Sequence, residues 1–513
     1  MKASKQLSRA TGKKKTRPFY TRRLLKSKKR LTANRKRQAA RRTSKGKAGK
    51  ASLIIKPRLG KRRVYRKHKK RPGANPVIQP PPLSLPEVSH YKLPSDTRAQ
   101  PGSRLPLNVL YIVHTFYPES YTGTEKFVLN LARAAQKLGH RVKVVTYSST
   151  LSADLPSHNP DIVSQEYEYE GIPVIAYRQL QGDTPPPVTA DDSLLSMFAD
   201  DILTREQPSI IHIAHPMRGI AFMQSALRLG IPYVLTLTDF WTVCPKSILL
   251  HSNRQLCAGP EGGLSCLAHC QIPDAAERLQ AVTPLLLAAR HILAPSAFLA
   301  SFIKHVIPSL PIEVIHHGMR HETLVPNERQ YHKNSSLTLL YGGSLNEHKG
   351  VHVLIKAMSF VPSKRIKLLI YGSGSPEYTA LLHRAARKDK RILFRGTYTE
   401  AELPSLYQEA DIAVVPSIWY ENHPLALHEA LASHVPVLSS NIGGMAEKIV
   451  DGLNGYTFRT ADARHLAQRI KLLANNPLLI NKLKNNIREL PLPDLELEAS
   501  AYESLYYSHT RIN

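Results

Sequence analysis

The sequence predicts an α/β fold made of two facing, doubly wound halves. Short apolar runs that end at glycine or turn residues recur along the chain, as is typical of buried parallel strands. Stretches with helical spacing of apolar residues separate them. Two sets of such units follow each other, beginning near Leu107 and near Leu337. A chain of 513 residues is too long for one core, which also favours more than one domain.

The charge of the chain is concentrated at its N-terminus. The formal net charge is +32, yet 31 Lys and Arg residues lie between Lys2 and Arg71, and the first acidic residue is Glu87. Such a segment buries too little apolar surface to offset its ordering entropy, so we expect disorder. Proline-rich sequence, which favours an extended linker, follows it.

These patterns predict five segments. They are a basic disordered tail (1–72), a Pro-rich linker (73–105), an N-terminal α/β domain (106–325), a C-terminal α/β domain (326–490) and a C-terminal helix that packs across the domains (491–513). No apolar run reaches the roughly 18 residues that a membrane-spanning helix needs. The basic N-terminus also lacks the apolar segment of a secretory signal. We therefore expect a cytoplasmic protein.

The first half opens with a strand–loop–helix–strand unit. "LNVLYIVHTFYP" has the composition of a buried strand, and the glycine-bearing "SYTGTEKF" loop leads into a helix. Phe127, Val128 and Leu131 lie on one face of that helix, Gly139 ends it, and "RVKVVTYSS" is the next strand.

The second half repeats this order. "LTLLYGGSLNEHKG" is a strand with a glycine loop, "IKLLIYGSG" a strand with a glycine turn, and "ADIAVVPS" a further buried strand. Ligands of doubly wound sheets bind beyond the carboxyl ends of the strands. The cleft between the two halves is therefore the predicted site.

Two glutamates, Glu421 and Glu429, follow the strand "ADIAVVPS". Pro424 lies between them and suits the first position of a helix, which places Glu421 in the loop and Glu429 inside the helix. The N-terminus of that helix would face the cleft and suits an anion such as phosphate. Two solvated helix charges are the simpler interpretation of the spacing alone. The apolar strand before the pair and the Gly443–Gly444 loop after it favour a site.

The block "PSIWYENHPLALHEALASHVPVLSSNIGGMAEKIVDGLNGYTF" resembles the donor-site signature of the retaining glycosyltransferases of family 4, which have the two-domain, Rossmann-like GT-B fold. The resemblance extends over about residues 107–510. It implies that Glu421 lies by the donor sugar and diphosphate and that Glu429 holds the ribose. It also implies that Lys349 neutralises the leaving diphosphate. The implied catalytic residues are Glu421 and Lys349, and the implied donor-binding residues are Gly123, Ser344, Lys349, Glu421, His423, Pro424, Leu425 and Glu429.

Three positions depart from the family pattern. Ser344 stands where the family often has arginine, so one phosphate-binding cation is missing unless Arg320 replaces it. Thr238-Asp239, the expected acceptor-side residues, stand where the family often has His-Asp. His434 stands where the family commonly has a glycine after the helix. A non-glycine residue in a left-handed conformation there would be strained by roughly 1–2 kcal/mol.

The resemblance implies a transferase that moves a sugar from a nucleotide-diphosphate sugar to a glycan, lipid or protein acceptor with retention of configuration. It implies no cofactor besides the donor and no metal. A different class of function stays open, in which the basic tail anchors the chain to a polyanion and the transferase-like part is inactive. Residues 1–72 have few aromatic side chains, so we expect only non-specific, salt-dependent contact with polyanions or an anionic membrane surface.

The four cysteines fall close together in the sequence. Gaps of twelve, eight and three residues separate Cys244, Cys257, Cys266 and Cys270 in a loop-rich insertion. Only the last gap resembles the spacing of a zinc knuckle. A zinc site, separate thiols and disulfides are the three alternatives.

Overall fold

The structure is a computed structural model, and it describes five stretches of the chain: residues 85–92, 105–155, 161–180, 193–320 and 323–510. The chain divides into two units, Met1–Ala74 and Asn75–Asn513, and every described residue belongs to the second. The predicted basic tail, residues 1–72, therefore lies outside the described residues.

The first half of the described chain contains one sheet. Its strands are β1 (Ser89–His90), β2 (Asn108–Val113), β3 (Arg141–Tyr147), β4 (Ile162–Tyr169), β5 (Ile172–Gln179), β6 (Ile210–Ile213), β7 (Tyr233–Thr236), β8 (Ile292–Ala294) and β9 (Ile312–Val314). They lie in the order β1-β9-β8-β7-β6-β2-β3-β5-β4. All neighbours are parallel except β4 and β5, which are antiparallel.

The second half contains a sheet whose neighbouring strands are all parallel. Its strands are β10 (Leu337–Gly342), β11 (Ile366–Tyr371), β12 (Ile392–Gly396), β13 (Ile412–Val415), β14 (Val437–Ser440) and β15 (Gly455–Phe458). They lie in the order β12-β11-β10-β13-β14-β15. The direction of winding reverses between β10 and β13, and loops that leave the carboxyl ends of two such strands separate and form a crevice.

Helices connect the strands of both sheets. In the first half they are α1 (Gly123–Lys137), α2 (Ser193–Glu206), α3 (Ile220–Leu229), α4 (Leu264–Cys270), α5 (Ala275–Leu287) and α6 (Ala297–Val306). In the second half they are α7 (Val351–Met358), α8 (Pro376–Ala386), α9 (Leu403–Glu409), α10 (Leu425–Ala432), α11 (Gly443–Lys448), α12 (Ala463–Asn475) and α13 (Leu478–Arg488). The last helix, α14, is Leu495–His509.

The sequence explains why α1 forms where it does. Phe127, Val128 and Leu131 recur at helical spacing and are all buried. At its start, Thr122 and Glu125 form a capping box, in which each side chain pairs with the other's backbone. This cap satisfies N–H groups that the first helical turn leaves free, and it fixes the loop that enters the helix.

The last helix returns the chain to the first half. Tyr502 and Tyr506 of α14 are fully buried in a core with Tyr111 of β2. His212 of β6 also joins this core, where its two ring nitrogens contact the hydroxyls of Tyr506 (2.7 Å) and Thr236 (2.8 Å). The helix therefore stabilises the first sheet, although it follows the second in the chain.

Two elements were not expected from the sequence. Strand β1 lies inside the predicted Pro-rich linker, 73–105, and pairs with β9. Strands β4 and β5 form an antiparallel hairpin at the opposite edge of the same sheet. Within the part of the chain that the structure describes, no helix is long and apolar enough to cross a membrane.

Candidate active site at the carboxyl ends of the sheets

Lys349 and Glu421 meet where the second sheet changes direction. Lys349 ends a 3-10 turn, Glu347–Lys349, in the loop after β10, and Glu421 lies in the loop after β13. The ammonium of Lys349 lies 2.8 Å from Oε1 of Glu421. The hydroxyl of Ser417 donates to the same oxygen at 2.6 Å. The sequence placed both residues at strand ends, and the fold brings them into direct contact.

Burial and charge act in opposite directions on Glu421. The residue is 5% exposed, and burial alone raises the pKa of its carboxyl. The charge and hydrogen bond of Lys349, with the hydrogen bond from Ser417, outweigh burial and lower that pKa below its usual value. The amine of Lys349 also lies 5.1 Å from the centre of the Trp419 ring. The carboxyl of Glu421 is therefore ionised at neutral pH.

Gly350 explains how Lys349 comes so close to β13. Its φ is +71°, and a Cβ atom added there would lie 1.9 Å from the carbonyl oxygen of Pro416. Next to it, the N–H of Ile418 donates to the carbonyl of His348 at 2.8 Å. Only glycine fits so close to the carbonyl of Pro416. Gly350 therefore lets the loop after β10, which carries Lys349, pack against the loop after β13, which carries Glu421.

Glu429 lies on α10 and has a partner at each oxygen. Lys126 of α1 contacts Oε1 at 3.0 Å, and the hydroxyl of Tyr407 donates to Oε2 at 3.2 Å. The carboxylate is 5% exposed, so it is not a solvated helix charge. Helix α10 begins at Leu425, one residue later than predicted, so Pro424 is its N-cap, and His434 after the helix has a left-handed φ of +55°.

The expected loop at Gly443–Gly444 is the first turn of α11, and it packs directly under Glu421. The N–H of Gly444 donates to the carbonyl of Glu421 at 2.7 Å. A Cβ atom on Gly444 would lie 1.8 Å from the carbonyl oxygen of Asn422, so no other residue fits without a shift. The first turn of α11 therefore holds the backbone of Glu421 in place.

The glycine loop of the first half approaches the start of α10. Gly123 is the first residue of α1, and a Cβ atom built on it would lie 3.9 Å from Cδ1 of Leu425, which is an ordinary contact. Glu125 is fully buried and faces its own loop, where it accepts from Thr115 (2.6 Å) and from the N–H of Thr122 (2.8 Å). The role of Glu125 is thus to hold the loop.

The expected acceptor-side residues lie next to the loop that carries Glu421. Asn422 donates its amide to the carbonyl of Thr238 at 2.8 Å, which joins the two halves beside Glu421. Asp239 accepts from the N–H of Trp241 at 2.7 Å and lies 3.1 Å from Nε2 of His215. Burial raises the pKa of Asp239, but His215 and the Trp241 hydrogen bond lower it overall.

Ser344 and Arg320 do not pair with Glu421. Ser344 is exposed, its carbonyl accepts from Tyr341 at 2.7 Å, and its hydroxyl accepts from Asn346 at 3.3 Å. Arg320 forms an ion pair with Glu400. Among the residues that the structure describes, Lys349 is the cation paired with Glu421.

His423, an expected donor-binding residue, is buried rather than charged. Its ring stacks on that of His428 with centroids 3.6 Å apart and an interplanar angle of 4°. Burial, with the charge of nearby Lys448, lowers the pKa of both histidines well below the usual value. In the described part of the chain, neither ring nitrogen of His423 has a hydrogen-bond partner. The side chain therefore brings no positive charge to the cleft.

A cleft of about 480 Å³ opens beside Glu429 between the two halves. Its walls include Lys126 from α1, Arg320 from the connecting segment, and Glu400, Leu425 and Glu429 from the second half. Glu429 is contacted by Lys126 and Tyr407, and Glu421 by Ser417. No periodic pattern in the sequence distinguishes these three partners from other residues.

The four cysteines are free thiols. Cys244, Cys257 and Cys266 are buried, and burial, with the other three sulfurs nearby, raises the pKa of Cys266 to about 11. The N–H of Gly259 donates to the sulfur of Cys257 at 3.4 Å. Within the described stretches, no three His, Cys, Asp or Glu side chains are arranged to hold a metal ion. Of the three alternatives, disulfides are absent among these four residues.

Two family models match consecutive parts of this chain. The model described as Glycosyltransferase Family 4 matches residues 121–323, and the model described as Glycosyl transferases group 1 matches residues 327–490. The chain carries the two domains of a GT-B glycosyltransferase. The candidate site lies where loops of both matched regions meet.

Known proteins of similar sequence or similar structure align with most of this chain. The D-inositol 3-phosphate glycosyltransferase of Pseudarthrobacter chlorophenolicus is 26% identical over 376 residues, which span 69% of this chain and 82% of that protein. The structure of sucrose-phosphate synthase from Thermosynechococcus elongatus has a TM-score of 0.59 at 19% identity and covers 78% of this chain and 98% of its own. HepE of Anabaena, solved with UDP and glucose, has a TM-score of 0.58 at 16% identity, and the match covers 78% of this chain and 100% of HepE. The predicted GT-B fold is therefore confirmed.

Proposed function

We propose that this GT-B glycosyltransferase moves a sugar from a nucleotide-diphosphate sugar to an acceptor hydroxyl with retention of anomeric configuration. The observation that carries the proposal is the contact between Lys349 and Glu421. A partly exposed lysine and a buried carboxylate, 72 residues apart in sequence, meet at the switch point of the second sheet. Switch points are where nucleotides bind in doubly wound folds.

Each part of the donor has a counterpart in the site. Lys349 faces the diphosphate as its charge increases on bond breaking, and the N-terminus of α10, at Leu425, adds N–H donors. Glu421 accepts from hydroxyls of the donor sugar, and Glu429 accepts from the ribose. The structure of HepE with UDP and glucose supports this class of donor for a protein of this fold.

The proposed reaction breaks the bond between the anomeric carbon and the diphosphate oxygen. A bond from the acceptor oxygen forms on the same face, and the acceptor proton goes to the departing phosphate oxygen. This path requires no second carboxylate base, unlike retaining glycosidases, where two carboxyl groups flank the bond about 5–5.5 Å apart. Lys349 and helix N-termini neutralise the charge, and the proposal includes no cofactor besides the donor.

Thr238 and Asp239 lie where the acceptor would approach from the first half. Asn422 ties Thr238 to the loop of Glu421, so acceptor and donor sides are joined at this point. The class of acceptor, whether glycan, lipid or protein, would be set by the first-half loops around these residues. We place the reaction in the cytoplasm. Contact of residues 1–72 with a polyanion stays a prediction, because they lie outside the described residues.

A panel of UDP-, GDP- and ADP-sugars tests the proposal. The full-length chain should release the nucleoside diphosphate from at least one donor, and the Glu421→Gln variant should release it far more slowly. NMR of the product should show the anomeric configuration of the donor. If release by the two proteins is equal for every donor, the proposed site is wrong, and an inverted product would refute retention alone.

A further inference from the structure

Lys126 lies between two carboxylates of the other half of the molecule. Its amine is 3.0 Å from Oε1 of Glu429 and 3.8 Å from Oε1 of Glu400. Lys126 belongs to α1 of the first half, whereas Glu429 and Glu400 belong to the second half. The ammonium therefore links the halves at the wall of the 480 Å³ cleft.

The two carboxylates differ in their exposure. The side chain of Glu429 is 7% exposed, that of Lys126 is 20%, and that of Glu400 is 41%. A buried carboxylate needs a partner more than an exposed one does, because water solvates the latter. Lys126 accordingly lies closer to Glu429. Oε1 of Glu429 accepts from Lys126 and Oε2 accepts from Tyr407.

This arrangement bears on the role proposed for Glu429, because Lys126 and Tyr407 each take one acceptor position of its carboxylate. A ribose diol that donates to this carboxylate must approach the oxygens that Lys126 and Tyr407 now contact. Tyr407 is buried on the neighbouring helix α9, and its single O–H lies between Oε2 of Glu429 (3.2 Å) and the carbonyl oxygen of Ala426 (3.1 Å), so it is held in place. The lysine side chain is longer and more mobile, and so it is the group that can leave.

The start of α1 restricts where Lys126 can go. Lys126 lies in the first helical turn, its N–H donates to the carbonyl of Thr122, and the capping box of Glu125 fixes that turn. The backbone of Lys126 thus stays in place, and only its side chain swings. Glu400 is the second carboxylate within its reach, and it already pairs with Arg320.

We propose that Lys126 is a positioning residue that competes with the donor's ribose for Glu429, and that Glu400 receives the ammonium when the donor binds. The inference rests on the proposed function, since it assumes that Glu429 holds the ribose. It adds that the affinity for the donor is set by a lysine of the opposite half. The transfer keeps a link between the halves in both states, because Lys126 pairs with the second half before and after binding.

The dissociation constants of UDP, GDP and ADP, measured by calorimetry on the full-length chain, test the inference. The Lys126→Met variant loses the competitor and should bind the preferred nucleotide about 3–10-fold more tightly. The Glu400→Gln variant loses the receiving carboxylate and should bind about 3–10-fold more weakly. In the Lys126→Met background, Glu400→Gln should have no further effect. Lys126→Arg should bind as the unchanged chain does.

Lys137→Met is the matched control, because Lys137 is exposed in the last turn of the same helix. Its nucleotide affinity should not change. If Lys126→Met binds the nucleotide more weakly, or with unchanged affinity, Lys126 is a direct ligand or a bystander, and the competition is refuted. If the unchanged chain binds none of the three nucleotides, the proposed function itself fails. Thermal unfolding of each variant separates these results from loss of folding.

Discussion

Replacement of Lys349 by methionine removes the charge that the proposed reaction needs at the diphosphate. Methionine keeps an unbranched apolar stem but removes the ammonium 2.8 Å from Glu421 and 5.1 Å from the Trp419 ring centre. Loss of a single preorganised donor elsewhere costs about 2.7–4 kcal/mol of transition-state stabilisation, or about 100–1,000-fold in kcat. We expect a loss of that size in nucleoside diphosphate release from the donor that the panel identifies.

The same variant should be less stable. Two unit charges 2.8 Å apart attract by about 6 kcal/mol at an effective dielectric constant of about 20, although desolvation offsets much of this. Removal of one partner from a buried pair typically costs about 3–5 kcal/mol. Because the Lys349 side chain is 26% exposed, we expect about 3 kcal/mol, at the low end.

The sign of the pH dependence follows from Glu421. Lys349 holds the folded-state pKa of Glu421 below its usual value of 4.5. The stability that results is fully present above pH 4.5 and is lost as the pH falls through the folded pKa. The stability deficit of Lys349→Met should therefore be full at pH 7 and shrink below pH 4.5.

Lys388→Met is the control for this variant, because Lys388 is exposed on the same half of the molecule. Its rate and its free energy of unfolding should match those of the unchanged chain. The reasoning is refuted if Lys349→Met retains kcat within about threefold of the control, since a factor of three corresponds to less than 1 kcal/mol.

Three further results are expected. Glu429→Gln should weaken nucleotide binding about 10–100-fold by calorimetry, because a neutral amide has one acceptor oxygen in place of two; equal affinity would contradict the assigned ribose contact. Gly350→Ala should lower the free energy of unfolding by at least about 2 kcal/mol in urea titrations, because its Cβ would lie 1.9 Å from Pro416 O; an unchanged midpoint would show that the loop shifts freely. Burial lowers the pKa of His212 to about 3, so its neutral form stabilises the fold above pH 6.5 and that contribution is lost as the pH falls. His212→Gln should therefore lose less stability than the unchanged chain between pH 6.5 and pH 5, and parallel losses would contradict this.

The residues of the site that follow directly from sequence are those near strand ends. Glu421 and Lys349 each come just after an apolar run, and the carboxyl ends of parallel strands share one edge of a sheet. Their approach could therefore be predicted, as could the left-handed conformation of His434 after α10. The separation of Glu421 in a loop from Glu429 in a helix followed from the conformational limits of Pro424.

Contacts between the two halves could not be predicted in this way. Lys126 and Glu429 are 303 residues apart, and their pairing depends on how one sheet faces the other. Glu125 caps its own helix, because a buried carboxylate is satisfied by the nearest N–H groups. Strand β1 has only two residues, too few for any periodicity to show within the proline-rich segment.

Nucleotide binding by the full-length chain tests the central claim most directly. Thermal unfolding with saturating UDP, GDP or ADP, compared between the unchanged chain and Glu429→Gln, reads out the donor site without any knowledge of the acceptor. A ligand at about 100 times its dissociation constant stabilises the folded state by about 2.7 kcal/mol. The account predicts a clear rise in Tm for one nucleotide with the unchanged chain and a much smaller rise with Glu429→Gln. Equal shifts in both proteins, or no shift with any nucleotide, would contradict it.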